Sequence, residues 1–175
     1  MRPNSNRSIV LALCAIATAC GGDLSTSALS PSSASFTQNR GSQSLPFRGT
    51  LKATEHGVVV PPHLLATGSG TGTATHLGQF AVSFDAVANL GTSTATGTFR
   101  FTAANGDQLV ATFVGSAVDL QPGVIQFTEV FTIVSGTGRF ADATGGFTLR
   151  RVGLVDFVTG LSTSTGTMEG EITLR

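Results

Sequence analysis

The chain contains no Trp and no Tyr, and its only two cysteines, Cys14 and Cys20, both fall within the first twenty residues. A framework of disulfides is therefore excluded from everything that follows Cys20. Charge is equally scarce: ten Lys and Arg face ten Asp and Glu in 175 residues. A neutral chain lacks the positive footprint that nucleic-acid binding requires. Helical periodicity and long apolar runs are missing as well, and no G-x-S-x-G nucleophile elbow occurs. What is abundant is Gly, with 22 residues, and Phe, with twelve. Hydrophobic residues make up 41% of the chain and charged ones 11%, so a solvated, disordered polyelectrolyte is excluded too.

The N-terminus reads as an address. Arg2 and Arg7 precede the apolar run Ile9 to Ala17, which ends in Thr18-Ala19-Cys20-Gly21-Gly22. A basic segment, a short apolar core and small residues before a cut site are the parts of a secretory signal. The run is too short to span a bilayer, which takes about twenty residues. Ala17-Thr18-Ala19-Cys20 resembles the lipobox of bacterial lipoproteins, with Ala17 where that family usually has Leu. The resemblance implies a signal peptide over 1–19 and an acylated Cys20 as first mature residue, so that the membrane is reached through a lipid anchor. It further implies location in the bacterial cell envelope. Asp23 does not directly follow Cys20, which favours the outer membrane over the inner. The alternative is a secreted or periplasmic protein cut near the same point.

Residues 20–44 carry eight serines from Gly21 onward and read as a flexible linker. A flexible chain of this length spans roughly 27 Å end to end. Leu29 and Phe36 are isolated apolar residues within it.

Residues 45–175 are expected to form one domain. From Leu45 the pattern is period two, interrupted by Gly, Asn and Pro. Phe47, Gly49, Leu51 and Ala53 form one face of a first strand, a Gly/Thr-rich second runs from about Ala66 to Thr75, and Phe80, Val82 and Phe84 face one way on a third. Phe99 and Phe101 mark a fourth. Asn105-Gly106 suggests a type I′ hairpin leading into Leu109, Ala111 and Phe113 of a fifth. Gln121-Pro122-Gly123 turns the chain into a sixth, Val124 to Val134; the seventh spans about Phe147 to Phe157 and the eighth about Ser162 to Leu174. Short connections favour antiparallel neighbours. The expected fold is all-β, a single antiparallel eight-stranded up-and-down β-barrel, with a β-sandwich as the alternative.

The segment after the sixth strand reads Ser135-Gly136-Thr137-Gly138-Arg139-Phe140-Ala141-Asp142-Ala143-Thr144-Gly145. Gly136, Thr137, Gly138, Arg139, Phe140, Ala143 and Gly145 resemble the G-T-G-R-F-x-x-A-x-G signature shared by allene oxide cyclase and dirigent proteins and by bacterial proteins with a similar barrel. The resemblance implies a calycin-like barrel. It carries no catalytic residue, because the matching positions shape a turn: Phe140 is expected to plug the barrel end and Arg139 to bond exposed carbonyls there.

Glu129 lies in phase with Ile125, Phe127, Phe131 and Ile133, and Arg151 in phase with Phe147, Leu149, Gly153, Val155 and Phe157 on the next strand. Their pairing inside the barrel has two readings. In one, Glu129 and Arg151 give a polar handle to a small hydrophobic ligand enclosed by Phe99, Phe101, Phe127 and Phe131. In the other, favoured here, the pair satisfies itself and fixes register, or a reversed strand phase leaves both residues in solvent. His56, His63 and His76, with Glu55, lack convergent ligand spacing, so no metal is expected, nor any cofactor. Gly68-Ser69-Gly70-Thr71-Gly72 lacks the spacing, the Lys and the helix of a phosphate loop.

These readings describe a lipid-anchored envelope protein whose barrel is a non-catalytic structural or small apolar ligand-binding module. The rival is an isomerase or cyclase acting through Glu129 on a hydrophobic substrate, similar to allene oxide cyclase. A third reading gives the outer surface a role in homo-oligomers.

Overall fold

The computed structural model describes residues 43–175. The expected signal peptide, Cys20 and most of the expected linker lie outside them.

Eight strands follow one another: β1 (Gln43–Val60), β2 (His63–Ala74), β3 (Gly78–Asn89), β4 (Thr94–Ala103), β5 (Gln108–Gln121), β6 (Val124–Gly136), β7 (Thr144–Asp156) and β8 (Leu161–Leu174). Each pairs antiparallel with the next, and β1 pairs with β8 from Gln43↔Leu174 to His56↔Leu161. That last ladder closes the sheet and decides for the barrel over the sandwich. Closure also leaves no long unpaired strand edge, a hazard for a chain so rich in β-forming residues.

The alternation in the sequence becomes an inside and an outside. Thr50, Thr54, Thr67, Ser69, Thr71, Thr112, Thr163 and Thr165 stand exposed on the wall, whereas the alternating partners point inward. A bilayer-spanning barrel turns its apolar face outward and encloses a polar interior. Here the interior is apolar apart from one polar cluster around Arg151, and the wall mixes Thr and Ser with exposed Val and Leu.

Phe47, Phe80, Phe84, Phe99, Phe101, Phe113, Phe131 and Phe147 share one core cluster. A continuous line of rings runs through it: Phe47 meets Phe147 at 4.9 Å between centroids, Phe147 stacks on Phe131 at 4.7 Å, Phe131 meets Phe99 edge-on at 5.0 Å, and Phe99 stacks on Phe84 at 4.3 Å. These are favourable offset and edge-to-face geometries. The Gly-rich strand β2 faces the rings. A Cβ on Gly68 would collide with the Phe84 ring, and one on Gly72 with the Phe80 ring. The glycines that resemble a phosphate loop thus make room for aromatic side chains.

The signature segment forms a short 3-10 helix, Gly138–Phe140. Phe140 is fully buried at this end of the barrel. Arg139 lies over it, with the guanidinium 4.8 Å from the ring centroid, and its Nη2 donates to the Leu77 carbonyl at 3.2 Å. The backbone N–H of Arg139 donates to Asp107 Oδ2 at 3.3 Å. Plug and carbonyl clamp are the roles expected for this pair.

Asn105-Gly106 joins β4 to β5 as expected, but not through a type I′ turn. Only Gly106 has a positive φ, +88°, and its N–H donates to the Ala103 carbonyl at 2.9 Å. Asn105 Oδ1 instead accepts from the Asp107 N–H at 3.2 Å, a local bond that holds a longer loop ending in a left-handed glycine.

Candidate functional site

Glu129 of β6 and Arg151 of β7 both point into the barrel. Register places Phe127 directly opposite Arg151, and Glu129 one inward position further along, so the two charged groups meet diagonally. Arg151 Nη2 donates to Glu129 Oε1 at 2.8 Å and Nε to Oε2 at 3.0 Å, a bidentate pair. The guanidinium also covers the Phe127 ring, 4.4 Å from its centroid.

The remaining Arg151 nitrogen finds partners that sequence reasoning missed. Nη1 donates to Glu55 Oε1 and Oε2 at 3.2 and 3.1 Å and to Ser164 Oγ at 3.1 Å. Ser162 Oγ donates to Glu55 Oε1 at 2.8 Å. One guanidinium is therefore held between two carboxylates and two serines, drawn from β1, β6, β7 and β8. A signal for Glu55 was present: extending the inward phase of Phe47, Leu51 and Ala53 by one step reaches it. What periodicity does not register is that β1 lies against β8 and brings Glu55 opposite Ser162.

Glycines clear space for this network. A Cβ on Gly115 would lie 3.0 Å from Glu129 Cγ, one on Gly153 2.9 Å from the Phe127 ring, and one on Gly166 2.6 Å from Arg151 Cβ. Among the described residues, every buried side-chain nitrogen and oxygen has a hydrogen-bond partner. Burial pushes the Glu129 carboxyl above its ordinary range despite the Arg151 charge and hydrogen bonds that oppose the shift, and the neighbouring Glu55 charge adds to the rise. Burial works to lower the Arg151 pKa, but the Glu129 charge and hydrogen bonds, with those of Glu55, carry it above its usual value. Arg151 is a fixed cation.

The other expected wall residues serve the core. Phe99, Phe101 and Phe131 are fully buried and pack on one another and on Phe113 and Phe147. Phe127, half-buried, lies beside Arg151. A recess of about 1180 Å³ is lined by outward-facing residues such as Thr50, Lys52, Thr71, Gln79 and Thr167, and also by Leu51, Phe80 and Arg151. Glu129 is on the wall of none of the three principal recesses. His56 and His63 are exposed and His76 sits in the β2–β3 turn; no group of three or more His, Cys, Asp or Glu placed to hold a metal occurs among the described residues.

No protein-family model, no curated protein and no solved structure matches the chain.

Chemically, the interior cluster is committed to itself. Both Glu129 oxygens accept from Arg151, so a base acting there would work through its remaining lone pairs beside a bonded cation. The guanidinium lies against the Phe127 and Phe84 rings, 4.4 and 5.7 Å from their centroids.

Proposed function

We propose that this chain is an exported protein of the bacterial cell envelope, held at a membrane by an acyl group on Cys20, and that its barrel is a non-catalytic module working through its outer surface. One observation carries the second part: the Glu55–Arg151–Glu129 network satisfies itself above a core of phenylalanine rings. Ligand enclosure would need those groups to exchange partners. Isomerase or cyclase chemistry would further need Glu129 to act as a base beside a bonded cation.

Kinship with the allene oxide cyclase and dirigent barrels remains part of this reading. It is supported by the closed eight-stranded topology and by the Arg139–Phe140 cap. Shared architecture alone does not transfer their activities.

The anchor is tested by mass spectrometry of the mature protein. The reading predicts a terminus at Cys20 carrying diacylglycerol. An unmodified terminus at or beyond residue 20 would overturn it. The module is tested with Glu129→Gln, which should leave the biological role of the protein intact while altering only its stability.

A further inference from the structure

The two ends of the barrel differ in chemistry. At one end the turns 75–77, 104–107 and 137–143 carry Asp107, Arg139 and Asp142, and their apolar residues Leu77, Phe140 and Ala143 are buried. At the other end stand four hairpin tips, and every one exposes large apolar side chains. Val58, Val59 and Val60 project from β1–β2, Leu90 from β3–β4, Leu120 from β5–β6, and Phe157 and Val158 from β7–β8. Phe157 is 70% exposed and Val158 94%. No Lys or Arg lies in residues 53–65, 85–95, 114–125 or 152–162. Val114, Val130, Val134 and Val152 are also exposed elsewhere on the wall. Most of the exposed large apolar side chains gather at this end, however, beside Asp119 and Asp156, and a cluster of this kind marks an interaction surface.

We propose that these four tips are a docking face for the interfacial region of a lipid bilayer. The tips stand on four separate hairpins around a mouth, with Pro, Gly and Thr between them. A fluid apolar layer receives each tip independently. Inside the ring, half-buried Leu64, Ala88, Ala117 and Ile125 add apolar surface beside the Glu55–Ser162 pair. The β7–β8 tip is also held in shape: Asp156 accepts from the Val158 and Thr159 N–H groups at 2.9 and 3.4 Å and from the Thr159 hydroxyl at 2.8 Å, which leaves Phe157 and Val158 facing outward.

The choice of a bilayer rests on the anchoring reading, and chain length permits it. β1 begins at the end opposite the tips, and its 18 residues extend about 60 Å along the strand. The residues from Cys20 to Gln43 average roughly 27 Å end to end as a flexible chain and reach about 75 Å when fully extended, so a stretched linker covers the distance. An anchored Cys20 and the apolar tips can therefore meet the same membrane.

The test compares three chains of the mature form, residues 20–175, all carrying Cys20→Ala so that neither the signal segment nor an acyl group contributes. One has no other change, one adds Leu120→Ser, Phe157→Ser and Val158→Ser, and one adds Val134→Ser toward the opposite end. Co-sedimentation with phosphatidylcholine vesicles should show the triple variant bound at least about 100-fold more weakly than the parent, from the loss of three apolar insertions. Val134→Ser should match the parent, and added salt should leave its binding unchanged because the tips carry no cation. Circular dichroism confirms that all three fold, since the substituted side chains are exposed. Equal binding by parent and triple variant, or none by either, would overturn the proposal. So would a parent that ignores vesicles but sediments as a dimer dissociated by the triple substitution. An unmodified Cys20 in the mature protein would contradict the anchor and leave the vesicle comparison standing.

Discussion

Arg151 and Glu129 meet across adjacent strands in a bidentate pair, 2.8 and 3.0 Å from nitrogen to oxygen, and the same guanidinium reaches Glu55 on the far side of the barrel seam. Removing the shared cation strands two carboxylates. Arg151→Met should therefore cost about 3–5 kcal/mol in urea unfolding, as expected when one partner of a buried ion pair is lost. Glu129→Gln leaves Arg151 paired with Glu55 and should cost less, about 1–3 kcal/mol. The reverse order would place the network in solvent.

The raised Glu129 pKa makes a pH prediction with a definite sign. The folded state holds the Glu129 proton more tightly than the unfolded state, so this carboxyl adds stability that is complete below its ordinary value of 4.5 and is lost as pH rises through its folded value. Stability of the parent minus that of Glu129→Gln should then fall as pH climbs from about 4.5 toward neutrality. Chemical denaturation across that range measures it. A difference that grows with pH would mean that Arg151, not burial, sets the titration.

Gly68 faces the Phe84 ring, and Gly68→Ala forces the two to compete for space. A cost of about 1–3 kcal/mol follows from overpacking. Phe84→Leu should recover part of it, giving a non-additive double-mutant cycle in thermal or urea unfolding. Additive losses would indicate that the glycine matters for backbone conformation instead.

Much of this fold is legible in the chain because β-structure with one dry face imposes alternation. Phe80, Val82 and Phe84, or Phe127, Glu129 and Phe131, show their phase at a glance, and Glu129 and Arg151 become partners once adjacent strands are in register. Features that depend on closure are not legible this way. Glu55 joins the cluster because β1 returns to β8, a contact between the two extremes of the domain that no local pattern records. The β4–β5 loop differs for another reason: the Asn105 side chain captures the Asp107 N–H, and this local bond selects a loop other than the tight turn that Asn-Gly usually signals. The apolar tips are visible only when four distant hairpins are seen to share one end.

Asp156 is fully exposed, and its pKa is lowered by the Thr159 hydroxyl first and by the Val158 N–H next. A depressed folded value contributes stability present above the unfolded value of 3.8 and lost as pH falls through the folded one. Asp156→Ala should accelerate amide hydrogen exchange at Val158 and Thr159 while leaving the barrel strands protected. Acidification should accelerate the β7–β8 tip relative to the other tips after correction for intrinsic exchange. Unchanged exchange in Asp156→Ala would show that the carboxylate does not hold the tip.

Phe99 sits where the rings converge, touching Phe84, Phe101, Phe113 and Phe131. Phe99→Ala should cost about 3–5 kcal/mol and leave an apolar cavity of the kind that admits a small aromatic molecule. Calorimetric titration of benzene into both proteins then asks directly whether the barrel interior is filled by its own side chains. The account predicts no saturable binding by the parent and one-to-one binding by Phe99→Ala. Saturable one-to-one binding by the parent, lost on enlarging the Gly115 side of the network with Gly115→Val, would contradict it.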